Sequence, residues 1–237
     1  MANIIKVDNA LEKRFARKMQ TKKKSKVLVA YFLIVCEGEK TEPNYFRAFP
    51  KQAGKIVYDI KFDGGGISTL KVVEKAIELR DKSPQKYDRV WAVFDRDSFK
   101  PNSFNSAILK AKANNIKCAW SNEAFELWYL LHFHNRITAM ERGQYQNAIE
   151  ESINKKVKRG EKKFTYKKND LKMYFHLNKH GNQELAIKWA KELDKNITGQ
   201  NFSSFNPNTR VYQLVEELIG KSEKLNKEIQ EKFSDGK

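Results

Sequence analysis

The sequence predicts an α/β protein: an open, mainly parallel sheet flanked by helices, followed by a helical C-terminal region. Two observations predict it. Short apolar runs rich in β-branched and aromatic residues alternate with segments of helical spacing through the first half of the chain. The first three runs also end abruptly on Gly or acidic residues.

Residues 1–26 are polar and basic and form a candidate N-terminal arm, in which Lys22, Lys23 and Lys24 are candidate phosphate contacts. VLVAYFLIVC (27–36) is a continuous apolar strand that stops at Glu37-Gly38. Thr41-Glu42-Pro43 opens a helix with Tyr45, Phe46 and Phe49 on its apolar side. IVYDIKF (56–62) is a second strand, followed by the Gly64-Gly65-Gly66 loop and a helix over 69–82 capped by Ser68. DRVWAVFD (88–95) is a third strand, a helix covers 104–114, and IKCAWS (116–121) is a fourth strand. AFELWYLLHF (124–133) is an aromatic-rich buried helix, and later helices are expected near 144–158, 169–179, 183–196 and 209–220. The resulting division is an arm (1–26), an α/β core (27–135) and a helical region (136–237) packed on the core.

The charge is lopsided: 46 Lys and Arg against 29 Asp and Glu, a formal +17. Such a field attracts polyanions, nucleic acid first among them. Cys36 and Cys118 lie in apolar runs outside any CxxC or Cys/His zinc spacing, so both are expected to be reduced core residues. The ten-residue apolar run is too short to span a bilayer and no signal-peptide pattern opens the chain, so a cytoplasmic protein without a membrane segment is expected. Oligomeric state is left open.

The chemistry is expected where carboxylates follow strands. Glu37 follows the first strand; Asp95 and Asp97 follow the third. Ligands of open parallel sheets bind beyond the carboxyl ends of the strands. Carboxylates gathered there repel, and a hard cation, Mg²⁺ or Mn²⁺, relieves them. Such an ion polarises a phosphate oxygen and activates water. Helix N-termini also attract acids, which is the competing reading. Glu42 is either a further metal ligand or a helix N-terminal acid. Glu126, in an apolar helix, is either a hydrogen-bonded core acid or part of the site. His132 is either a proton donor to a leaving oxygen or a satisfied core histidine. Lys40, Arg96, and Lys162, Lys163, Lys167 and Lys168 of the basic stretch 155–168 are candidate phosphate contacts. The glycine loop lacks the Lys-Ser/Thr ending of an ATP-binding P-loop.

CEGEKTEPNYF (36–46), FDRDSF (94–99), SNEAFELWYLLHF (121–133) and FNPNTRVYQLVEEL (205–218) resemble, in order, the signatures of the RloB family. That family is similar in motif to Toprim domains, whose core places one Glu after its first strand and Asp-x-Asp after a later one. The resemblance implies a Toprim-like fold in which Glu37, Asp95 and Asp97 hold Mg²⁺. It also implies a nuclease, a role in antiphage defence, and a partner AAA or ABC-type ATPase. A non-catalytic nucleic-acid-binding or assembly subunit is the alternative, and another phosphoryl-transfer enzyme is a third.

Overall fold

The structure is a computed structural model that describes residues 27–66, 68–96 and 101–234. Lys22, Lys23, Lys24 and Asp97 lie outside these residues. Among the described residues six strands form one sheet: β1 (Leu28–Cys36), β2 (Gln52–Ala53), β3 (Ile56–Gly64), β4 (Arg89–Asp95), β5 (Lys117–Asn122) and β6 (Asn208–Thr209). Their order is β2-β3-β1-β4-β5-β6. The four long strands are parallel, and the two short edge strands are antiparallel.

The α-helices among the described residues are α1 (Thr41–Arg47), α2 (Thr69–Asp81), α3 (Pro101–Ala113), α4 (Glu126–Leu130), α5 (Arg142–Asn154), α6 (Met173–His180), α7 (Gln183–Asp194), α8 (Val211–Leu218) and α9 (Glu223–Ser234). No helix among the described residues is long and apolar enough to cross a membrane.

Strand β1 explains the layering. Phe32 to Cys36 are fully buried, so both faces of the strand are covered. Leu33 and Val35 pack with Val72, Val73, Ala107 and Phe104 of α2 and α3. Phe32, Ile34 and Cys36 point the other way, into a larger core that includes α1 and the helices of the C-terminal region. The sheet is therefore the middle of three layers. Cys36 and Cys118 are free, the first buried and the second half-buried.

Several boundaries differ from expectation. Residues 124–133 hold a five-residue α-helix, Glu126–Leu130, with turns beyond it. Ser68 occupies the N-cap position of α2 but its side chain makes no capping hydrogen bond. Strands β2 and β6, and helix α9, had no expected counterpart. Two-residue strands carry no periodicity, and α9 buries only Leu225 and Ile229 in a polar segment.

The C-terminal region is anchored to the sheet at the edge where β4 and β5 begin. Buried Glu217 of α8 accepts from Arg89 Nε (2.9 Å), Trp91 Nε1 (2.9 Å) and Lys117 Nζ (2.5 Å). Its neighbour Glu216 instead pairs with Lys191 on the surface side.

Candidate functional site

The strand order reverses between β3-β1 and β4-β5: the chain runs from β1 to β3 on one side, then crosses to β4 on the other. The carboxyl ends of β1 and β4 flank this switch point, where open α/β sheets leave a crevice. Cys36 registers with Val93, and the Glu37 amide donates to Val93 O at 2.8 Å. Glu37 and Asp95 thus stand at adjacent strand ends. Glu37 Oε2 accepts from the Asp95 amide at 3.0 Å, and its Oε1 accepts from Thr69 Oγ1 at 3.2 Å.

A cleft of about 520 Å³ opens on this edge. Five acids line it, Glu37, Glu39, Glu42, Asp95 and Glu126, against three cations, Lys40, Arg142 and Lys168. It is an acidic spot in a chain of formal charge +17. Glu42, Asp95 and Glu126 are 5%, 4% and 1% exposed, so water screens them little.

Two elements deliver the buried pair Glu42 and Glu126. Helix α1 carries Glu42 in its first turn, and α4 opens with Glu126. An aromatic cluster joins these helices: Tyr45 packs edge-on against Phe125 at 5.8 Å and tilts onto Tyr129 at 5.3 Å, and Trp128 Nε1 donates to Tyr45 Oη at 2.8 Å. The density of aromatics in YF (45–46) and AFELWY (124–129) is therefore what aims two carboxylates into one space.

The electrostatics follow from that crowding. Burial, and then the charges of Glu42 and Glu126, push the Asp95 carboxyl well above its ordinary range; Arg142 opposes this. Burial and the Glu126 charge likewise raise Glu42, against its own backbone amide and, less strongly, Lys168 and Arg142. Arg142 Nη2 donates to Asp95 Oδ2 at 2.9 Å. Asp95 Oδ1 and Glu42 Oε2 are buried with no hydrogen-bond partner. Tyr166 Oη donates to Glu126 Oε1 at 2.9 Å, and burial beside Glu126 keeps that phenol protonated by raising its pKa. The loop carrying Tyr166 is clipped to α1: Thr41 Oγ1 donates to Lys168 O at 2.8 Å and Asn44 Nδ2 to Asn169 O at 3.3 Å.

Among the described residues no group of three His, Cys, Asp or Glu side chains converges as a metal ligand set. Asp97, the third acid expected there, lies outside those residues. The two orphaned oxygens and the raised pKa values of Asp95 and Glu42 nevertheless fit a hard cation, since buried carboxylates require a proton, a cation or a donor. Asp95, Glu42 and Glu126 are the side chains that would face it, with Glu37 bound to the backbone beside them.

The remaining expected residues separate. Lys40 and Lys168 line the cleft. Lys162, Lys163 and Lys167 line a neighbouring basic groove instead. Arg96 follows β4 and its Nε is buried without a partner. His132 lies outside the cleft, in a separate pocket with Gly181 and Asn182. Its Nδ1 lies 3.0 Å from Trp128 O, and burial lowers its pKa to about 4, so it is a neutral core ring there. Arg142, Tyr166 and Thr69 were not foreseen. Each comes from a distant segment, and nothing local marks it.

A family model described as RloB-like protein matches residues 32–218. The chain belongs to the RloB-like protein family. The matched span of this RloB-like chain contains both strand ends, the two aromatic segments and α8. No curated protein and no solved structure matches it.

Gly38 ties the β1–α1 turn of the RloB-like chain to the acids. A Cβ added there would stand 2.3 Å from Glu42 Oε2. The clash falls on the end of a flexible side chain, so Gly38→Ala is expected to keep the fold, with Tm within a few degrees of the wild type. It displaces the Glu42 carboxylate, so a divalent cation should raise the Tm of the variant less than that of the wild type. Melting of both proteins with Mg²⁺ and with EDTA checks both halves.

Proposed function

We propose that the protein is a Mg²⁺- or Mn²⁺-dependent nuclease that hydrolyses phosphodiester bonds, working in antiphage defence with a partner ATPase. One observation carries the chemical part of this reading: an acidic cleft at the sheet's switch point, with two orphaned carboxylate oxygens, inside a strongly basic molecule. A polyanion drawn by the overall charge meets carboxylates in that cleft, and the approach is favourable only when a cation stands between them. Asp95 and Glu42, whose unpartnered oxygens belong to that cleft, are the groups that would hold it, with water and substrate phosphate as its further ligands. When bound, a hard divalent cation supplies Lewis acidity toward a phosphate oxygen and lowers the pKa of water.

The chain's own residues supply the rest. Lys40 and Lys168, on the cleft wall, attract the nonbridging phosphate oxygens. Arg142 neutralises Asp95 and lies within reach of the same space. Thr69 and the Asp95 amide fix the Glu37 carboxylate, so it is oriented before substrate arrives. The defence role and the ATPase partner rest on the likeness to the RloB family.

The test is cleavage of single-stranded DNA, duplex DNA, total RNA and tRNA with Mg²⁺ or Mn²⁺, with and without the partner ATPase. Cutting that EDTA stops is the expected result. Salt-dependent binding with no cutting under every condition would favour the non-catalytic subunit instead. A second readout needs no activity. The cation should raise Tm by a few degrees above the EDTA-treated protein, because ligands that bind only the folded state stabilise it. The rise should be larger at pH 8 than at pH 5, since protonation of Asp95 and Glu42 competes with cation binding.

A further inference from the structure

We propose that the surface formed by residues 161–180, beside the acidic cleft, binds single-stranded nucleic acid, holding its phosphates on lysines and stacking an unpaired base on Phe175. The role assigned to this surface rests on the nuclease reading, but the binding itself does not.

A groove of about 700 Å³ lies next to the cleft, lined by Lys162, Lys163, Lys167, Lys172 and Lys179 against only Glu161 and Asp170. Glu161 is taken up by Lys179 at 3.5 Å, and Asp170 faces His176 at 3.7 Å. Among the described residues the ammonium groups of Lys162, Lys163, Lys167 and Lys172 have no carboxylate partner, and all four residues are exposed; the Lys172 backbone amide donates to Asp170. Four uncompensated cations along one groove suit a run of phosphates.

Helix α6 adds the second element. Leu171, just before it, and Phe175 within it are 70% and 58% exposed. Phe175 stands three residues after Lys172 and four before Lys179, so the ring shares a helix face with the lysines. An exposed ring among lysines offers nothing to duplex DNA or RNA, whose base faces are already stacked. It offers a platform to an unpaired base.

The surface is also continuous with the cleft. Lys167 and Asp170 line the groove, whereas Lys168 and Asn169, between them in sequence, line the cleft. One loop, held to α1 by Thr41 and Asn44, forms the wall between the two. A strand lying in the groove is thereby led toward Asp95.

The experiment measures fluorescence anisotropy of a labelled oligonucleotide, single-stranded or duplex, with the Asp95→Asn chain in EDTA so that nothing is cut. The single strand should bind at least about tenfold tighter. Phe175→Ala should weaken single-strand binding by roughly five- to a hundredfold, the range expected for one base–aromatic stack, and leave duplex binding unchanged. Phe175→Trp should restore it. Combining Lys162→Ser, Lys163→Ser and Lys167→Ser should flatten the single-strand salt dependence by a slope of about 2. Equal affinity for both forms, no effect of Phe175→Ala, or binding that ignores salt would overturn the proposal. The exposed position of Phe175 keeps these variants folded, which melting checks. A wild-type chain that binds in this way but never cuts would remove the nuclease reading and leave the surface standing. A chain that cuts, while Phe175→Ala leaves single-strand binding unchanged, would remove the surface alone.

Discussion

Asp95→Asn is expected to reduce cation-dependent cleavage by at least about a hundredfold, the scale on which single electrostatic contacts to a transition state act. The substitution keeps the size of the side chain and removes the charge that would face the cation. The same variant should be no less stable than the wild type at neutral pH. The reason is the direction of the Asp95 shift. Its pKa is raised in the folded state by burial and by the charges of Glu42 and Glu126. A raised carboxyl contributes stability that is complete below its unfolded pKa and is lost as pH rises through the folded value. The wild type therefore loses stability with rising pH at this position, and the asparagine does not. The Tm difference between variant and wild type should be near zero around pH 4 and grow by a few degrees toward pH 8. Melting across that range, beside a cleavage assay, separates a lost charge from a lost fold. Unimpaired cutting by the variant would take Asp95 out of the chemistry; a variant much less stable than wild type at pH 8 would mean that the Arg142 ion pair outweighs burial.

Glu217→Ala should carry the largest stability cost, about 3–5 kcal/mol, which is typical when one partner of a buried ionic group is removed. Glu217 is 1% exposed and receives Arg89, Trp91 and Lys117 at once. Its loss leaves the indole N–H unpaired and removes the counter-charge from two cations at the starts of β4 and β5. For a chain of this size that corresponds to a drop of roughly 6–20 °C in Tm. Glu228 also pairs with Arg89 but is 41% exposed, so Glu228→Ala should cost no more than about 1 kcal/mol. Urea unfolding of the two variants decides the matter: if they cost the same, burial is not what gives Glu217 its weight. Because this network sits at the opposite end of β4 from Asp95, the cation-dependent rise in Tm should survive in the Glu217 variant wherever it still folds.

The contrast between Glu216 and Glu217 shows where local reading stops. Both stand in VYQLVEEL, and nothing local tells them apart. One meets Lys191 at the surface; the other is buried under the sheet against Arg89. Helix α8 was foreseen, but which glutamate faces inward depends on the helix's rotation against β5, set by packing. The same holds at the cleft. Arg142 and Tyr166 reach Asp95 and Glu126 across 47 and 40 residues of sequence, with no motif at either end. His132 has the type and the sequence neighbourhood of a proton donor, but the turn after α4 carries it into another pocket.

What the sequence determined by itself is the set of long strands and the position of the acids at their ends. Continuous apolar runs such as Phe32 to Cys36 are satisfied in the interior of a parallel sheet, and charge must wait until the strand has left it, so Glu37 and Asp95 fall at the edge from local pattern alone. Tertiary structure decided the rest. The order β3-β1-β4 makes those two ends neighbours, the Tyr45 cluster brings Glu42 and Glu126 between them, and Arg142 neutralises one acid of the group. These are contacts between segments far apart in the chain, and their energies exist only once the sheet has assembled and water has been driven from the space between its helices.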